Sequence, residues 1–137
     1  MKDIDEVSRD VIGLAMSIHR DLGPGLMESV YETVLAGAIM RMGYSVARQK
    51  PIDINYDGME FAGAFRVDIL VDNRLVLEIK SVDQITAVHA KQLLTYLRLL
   101  RQPVGLILNF SGATMKEGIR RLVNNHDGSA SSASLRE

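Results

Sequence analysis

The chain contains no cysteine, which excludes disulfides, thiolate zinc sites and a thiol nucleophile. Its histidines, His19, His89 and His126, are far apart and show no metal-ligand spacing. Transition-metal chemistry built on Cys and His is therefore not expected, whereas an oxygen-ligated ion such as Mg²⁺ or Mn²⁺ remains open. No apolar run approaches the roughly 20 residues needed to span a bilayer, and no basic–apolar–small leader opens the chain. With the lack of Cys, the expectation is a cytoplasmic protein with no membrane partner. An excess of one charge is also missing: 16 basic and 17 acidic residues give a net charge of -1. Free-standing nucleic-acid binders are more often basic, which counts against tight unassisted DNA binding and leaves a local basic surface open. Gly23 and Gly25 do not form a phosphate loop, because no strand precedes them and no Gly-Lys-Ser/Thr follows. There is no Gly-x-Ser-x-Gly elbow.

What is present is enough apolar material for one packed domain. The 137 residues are 47% hydrophobic and 24% charged, ordinary values for a globular fold. Ile4, Val7, Val11, Leu14, Ala15 and Ile18 recur at helical spacing and predict a helix over 3–20, capped by Asp3 or Asp5. Gly23-Pro24-Gly25 breaks it, and a second helix is expected over 27–42, ending at Gly43. Residues 44–49 read as a strand interrupted by Lys50-Pro51. Segments 52–56 and 59–62 flank Asp57-Gly58, the strongest short hairpin signal in the chain. A Leu-rich helix over 86–100 and a nearly all-apolar strand over 104–110 follow, the latter expected to be covered on both faces. Residues 115–123 suggest a short edge strand. The domain is therefore placed at 1–123, with 124–137 read as a disordered tail lacking core-forming residues. The element order implies an α/β sandwich, a mixed sheet with helices packed on it and a right-handed crossover through the third helix.

The most informative segment is Arg66-Val67-Asp68-Ile69-Leu70-Val71, a turn at Asp72-Asn73-Arg74, and then Leu75-Val76-Leu77-Glu78-Ile79-Lys80. Keeping the apolar residues of both strands on one face sets Val71 opposite Leu75, Ile69 opposite Leu77 and Val67 opposite Ile79. Asp68 then lies opposite Glu78, and Arg66 opposite Lys80, on the other face. Like charges directly across a strand pair are destabilising. A divalent cation between the carboxylates resolves the conflict, and Lys80, two residues from Glu78, is placed to act on a water or phosphate there. The bland alternative is a solvent-exposed charged strand face, since Glu-x-Lys is common by chance. Two opposed acids inside an apolar hairpin favour the functional reading, because function is expected where a local rule is broken.

Two helices offer additional groups. Gln92 and Tyr96 share a face of the third helix, separate from a stripe of Val88, Leu93, Leu97 and Leu100. They are a polar flank, or they lie over the hairpin and orient a lysine or phosphate. Glu28 sits in the first turn of the second helix, where the helix dipole alone would favour an acid. It shares a face with Tyr31 and Glu32 and is placed to add a carboxylate to a metal site.

Gly25-x-x-Glu28-x-x-Tyr31 resembles the signature of the small bacterial and archaeal GxxExxY proteins, grouped with the PD-(D/E)xK nuclease superfamily. The resemblance spans roughly residues 5–123 and includes Arg66-x-Asp68, Glu78-Ile79-Lys80 and Gln92-x-x-x-Tyr96. The last of these is similar to the helix motif of RecB-like members. It implies a restriction-endonuclease-like α-β-β-β-α-β core, a mixed sheet flanked by helices, carrying a Mg²⁺- or Mn²⁺-dependent phosphodiesterase site. By this resemblance Asp68, Glu78 and the backbone carbonyl of Ile79 hold the metal. Lys80 positions or deprotonates the attacking water, Glu28 is an acidic helper, and Gln92 and Tyr96 steady Lys80 or the phosphate. Val67 stands where the superfamily name has Pro. The expected activity is hydrolysis of nucleic acid, DNA before RNA, in repair, defence or processing. The alternative is a non-catalytic nucleic-acid- or protein-binding module on the same fold. A homodimer or a partner protein stays open.

Overall fold

The computed structural model describes residues 2–124, so the tail expected over 124–137 lies outside the described residues except for Asn124. Asn124 itself is buried; its backbone N–H donates to the Pro103 carbonyl at 2.8 Å and its side-chain amide to that of Gln102 at 3.2 Å. The packed chain therefore continues past Val123.

Helix α1 (Ile4–Leu22) is capped by Asp3, whose carboxylate accepts the Glu6 N–H at 2.9 Å. Helix α2 (Glu28–Arg41) follows the Gly23–Gly25 break. Strands β1 (Val46–Tyr56) and β2 (Met59–Val71) form a long antiparallel hairpin. Its turn puts Asp57 and Gly58 at φ 53° and 76°, the left-handed pair that matches the twist of a two-residue hairpin. The expected interruption at Lys50-Pro51 does not occur. β1 is an edge strand, where a missing N–H is tolerated, and Pro51 keeps its place opposite Arg66. A register shift does occur, further out, between Ile52 and Ile54.

Strand β3 (Leu75–Lys80) pairs antiparallel with β2. Helix α3 (Ala87–Leu100) then carries the chain to β4 (Val104–Asn109), parallel to β3. A short 3₁₀ turn, Lys116–Gly118, leads into β5 (Ile119–Val123), antiparallel to β4, where one strand over 115–123 was expected. The result is a mixed five-stranded sheet in the order β1-β2-β3-β4-β5, an α/β architecture consistent with a restriction-endonuclease-like fold.

The core has two layers. On one face, Ile69, Val71, Leu75, Leu77, Ile79 and Leu106 pack beneath α1 and α2 through Val7, Val11, Tyr31, Leu35 and Ile39. On the other, Leu70, Val76 and Ile107 pack beneath Leu93 and Leu97 of α3. Val88, assigned to the α3 stripe from spacing, is instead 72% exposed at the first turn, ahead of the covered part of the helix.

Candidate active site

The hairpin register holds near its turn and gives way where the acids stand. Val71 pairs with Leu75, Leu70 with Val76 and Ile69 with Leu77, and the ladder stops there. Beyond it, the Asp68 N–H donates to the Glu78 carboxylate at 3.2 Å, and the Ile79 N–H donates to the Asp68 carboxylate at 2.8 Å. Each acid thus takes up a backbone donor from the opposite strand. Val67 does not pair with Ile79. It pairs with Lys50 of β1 and packs in the α3 layer, although Ile69 and Val71 face α1 and α2. Side-chain alternation therefore changes phase at Asp68, contrary to strict two-residue periodicity. Arg66 lies opposite Pro51 on the β1 side, and no ladder pair joins it to Lys80 on the β3 side.

β1 changes phase at the same level: Val46 packs in the α1/α2 layer and Ile52 in the α3 layer. Between them Gln49 adopts a left-handed conformation, φ 49°. The Arg48–Ile69 and Lys50–Val67 pairs flank it, with no ladder pair between Gln49 and Asp68. The opening is thus shared by neighbouring strands.

An open cleft of about 850 Å³ lies here, lined by Glu28, Ser29, Glu32, Gln49, Asp68 and Ser81 among others. Burial, and then the charge of Asp68, pushes the Glu78 carboxyl up to about 8, with the Lys80 ammonium opposing. Burial likewise raises Asp68, with the charge of Glu32 adding to it and the Ile79 N–H opposing. The two acids are short of counter-charge. Lys80 closes β3, half-buried, and its carbonyl accepts the Phe110 N–H of the β4 side at 2.9 Å. Successive residues of a strand turn their N–H and C=O to opposite edges, so Ile79 presents both groups to the β2 edge, where the ladder is open.

The helices contribute unequally. The Glu28 carboxylate accepts the Ser81 N–H at 3.0 Å, and the Ser81 hydroxyl donates to the Leu26 carbonyl at 3.1 Å. Glu28 therefore fastens the start of α2 to the residue after Lys80. The Tyr31 hydroxyl donates to the Gly23 carbonyl at 2.5 Å and accepts the Leu26 N–H at 3.2 Å. Its ring stacks on Phe110 at 4.4 Å. Tyr31 is a strut for the Gly23–Gly25 loop. Tyr96 stacks on Phe65 at 4.2 Å, and burial, then the charges of Glu78 and Asp68, raises its phenol. The α3 tyrosine is thus within electrostatic reach of both acids. Gln92, one turn earlier, is exposed, with no hydrogen bond to the acids among the described residues.

Spacing alone left Glu32 and Gln49 without a role. Glu32 is 6% exposed and is held by the Arg48 guanidinium at 3.0 Å and the Gln49 amide at 2.7 Å. The four-residue interval from Glu28 to Glu32 was the available signal. The contribution of Gln49 depends on a kink with no sequence mark.

Acid oxygens and a backbone carbonyl are hard ligands and fit a hard divalent cation. Among the described residues no group of three or more His, Cys, Asp or Glu is placed to hold a metal. Asp68 and Glu78 would therefore be joined by the carbonyl and waters, a set that suits Mg²⁺, which retains several waters. Among the described residues, no helix is long and apolar enough to cross a membrane.

No curated protein matches the chain. Among solved structures, the crystal structure of SSO0001 is 18% identical, over 92% of this chain and 70% of that one, with a TM-score of 0.46. The family model described as PD-(D/E)XK nuclease superfamily matches residues 5–122. The match covers the cleft, both opposed acids and the helices flanking them, and the chain belongs to the PD-(D/E)XK nuclease superfamily.

Proposed function

We propose that the protein is a divalent-metal-dependent nuclease that hydrolyses phosphodiester bonds in DNA, with Asp68, Glu78 and Lys80 at its centre. The observation that carries this reading is the exchange between β2 and β3. Two opposed acids, Glu78 buried and Asp68 half-buried, give up their strand pairing to take up backbone donors from each other's strands beside a lysine. Such an arrangement costs folding stability and is expected where the charge has a use.

In this reading Asp68, Glu78 and the Ile79 carbonyl hold Mg²⁺ or Mn²⁺. When bound, the ion supplies charge stabilisation at the phosphate and a nucleophile available at neutral pH. The backbone N–H groups of Ile79 and Asp68 fix the two carboxylates before substrate arrives, so little reorganisation is left for the reaction. Lys80 projects from the strand end next to them; its ammonium orients the attacking water and offsets charge on the phosphate oxygens. Glu28 sets the position of the chain immediately after Lys80 through Ser81. Tyr96 offers a hydroxyl from α3. Gln92 meets substrate from the rim, being exposed. The Gly25-x-x-Glu28-x-x-Tyr31 motif supports a finer placement with the GxxExxY proteins.

The test is cleavage by purified protein of single- and double-stranded DNA and RNA in Mg²⁺ or Mn²⁺, with EDTA as control. Cleavage of DNA that is lost in Glu78→Ala and Lys80→Ala is expected. Inactivity on all four substrates in both metals overturns the reading. Mn²⁺ binding measured by calorimetry then separates a dormant metal site from a plain binding module.

A further inference from the structure

Gln49 is a neutral side chain placed directly between two acids of the cleft. Its amide nitrogen donates to Glu32 at 2.7 Å and to Asp68 at 3.3 Å. Both partners are carboxylates, which only accept, so the amide must present its nitrogen and not its oxygen to them. Glu32 is fixed in turn: the Arg48 Nε donates to it at 3.1 Å, and the same guanidinium donates to the Thr33 hydroxyl at 2.9 Å. Gln49 makes this contact from a left-handed backbone, an uncommon conformation for a residue with a Cβ. One oxygen of Asp68 is taken by the Ile79 N–H and the other by Gln49, so the carboxylate is held on both sides.

We infer that Gln49 is a positioning residue: anchored on the Arg48–Glu32 pair, its amide bridges Glu32 to Asp68 and sets the Asp68 carboxylate in register with Glu78. The inference deepens the nuclease reading and rests on it for its consequence in catalysis. Gln49 also stands at the root of the β1–β2 arm, which runs on to Tyr56 and Met59. The alignment of Asp68 therefore depends on how that arm is seated against α2.

The informative variants keep the backbone content and change the reach. Gln49→Asn retains an amide and tolerates the left-handed region but is one methylene short of spanning two carboxylates. Gln49→Gly removes the donor where glycine is at ease. The first measurement needs no metal. Hydrogen exchange of the Ile79 amide, whose acceptor is Asp68, is expected to accelerate about tenfold in both variants, while Leu77, one pair further along the ladder, keeps its protection. The second is Mn²⁺ calorimetry, where loss of a group supporting a ligand is expected to weaken binding by roughly 10–100-fold. The third is cleavage, expected to lose kcat while KM for DNA is kept. Unchanged Ile79 protection in both variants overturns the positioning role. Faster Ile79 exchange in the variants of a parent that binds no Mn²⁺ upholds that role and removes the metal reading instead.

Discussion

The two ends of the β2–β3 hairpin are built from the same alternating pattern and behave in opposite ways. At the turn, Val71, Ile69, Leu75 and Leu77 are fully buried, and their strands pair in regular register. Asp72 and Asn73 adopt the left-handed conformations the turn demands, φ 51° and 56°, and Asp72 also accepts from the Ser45 N–H at 2.8 Å. At the far end the ladder opens, the pleat changes phase, and side-chain carboxylates take over backbone donors. The closed end supplies rigidity, and the open end spends stability on holding two acids in a fixed arrangement. Residues within a few positions of each other should therefore separate cleanly into those that fold the protein and those that act.

The largest contrast is expected in cleavage. Lys80→Ala should lower the rate by at least about 10³-fold, equivalent to roughly 4 kcal/mol in the barrier, with a denaturant midpoint close to the parent's. Leu77→Ala should do the reverse, costing about 2–5 kcal/mol of stability in chemical denaturation as a buried cavity opens, with the activity of the folded fraction retained. Equal loss of rate and stability in both variants would remove the division between the two ends.

A pH series sharpens the same contrast. The Glu78 carboxyl is raised from its ordinary range near 4.5 to about 8. Between those values the folded protein holds a proton that the unfolded chain has released. Stability in EDTA should therefore fall as pH rises through this window, by up to about 1.4 kcal/mol per unit, and level off above it. Glu78→Gln should flatten the slope and be more stable than the parent at pH 8, whereas saturating Mn²⁺ should restore the parent. A metal-free parent with flat stability over this range would contradict the buried repulsion. The smallest effect is expected at the strut: Tyr31→Phe should cost about 1–2 kcal/mol by leaving the Leu26 N–H and Gly23 carbonyl short of a partner. It should slow cleavage only modestly.

Much of this was legible from the chain. The apolar alternation of Val71, Ile69, Leu75 and Leu77 set the hairpin register, and the conflict of Asp68 with Glu78 pointed to the place where the ladder opens and the candidate site lies. Asp57-Gly58 located the outer turn. The phase change at Val67 was not legible, because alternation carries no sign of where a pleat is interrupted. Pro51 misled for a related reason: a proline breaks a central strand and is harmless on an edge, and edge position is a property of the whole sheet. Glu32 and Gln49 escaped because each acquires its meaning from the other across α2 and β1. Tyr31 was placed on a chemical face from its spacing, yet its hydroxyl is occupied by the Gly23–Gly25 loop.

Behind Lys80 two backbone segments approach closely at Gly118. A methyl group on Gly118 would lie 2.0 Å from the backbone oxygen of Asn109. Asn109 is buried, and its amide grips both the N–H and the carbonyl of Val82, at 3.0 and 2.9 Å. A single carbon added at Gly118 would press on the residue that anchors the chain just past the lysine. The hydrogen-sized side chain of a remote 3₁₀ turn thereby keeps clear the residue that holds the chain just past Lys80, and substitution at Gly118 is expected to be tolerated far less well than substitution along the outer arm.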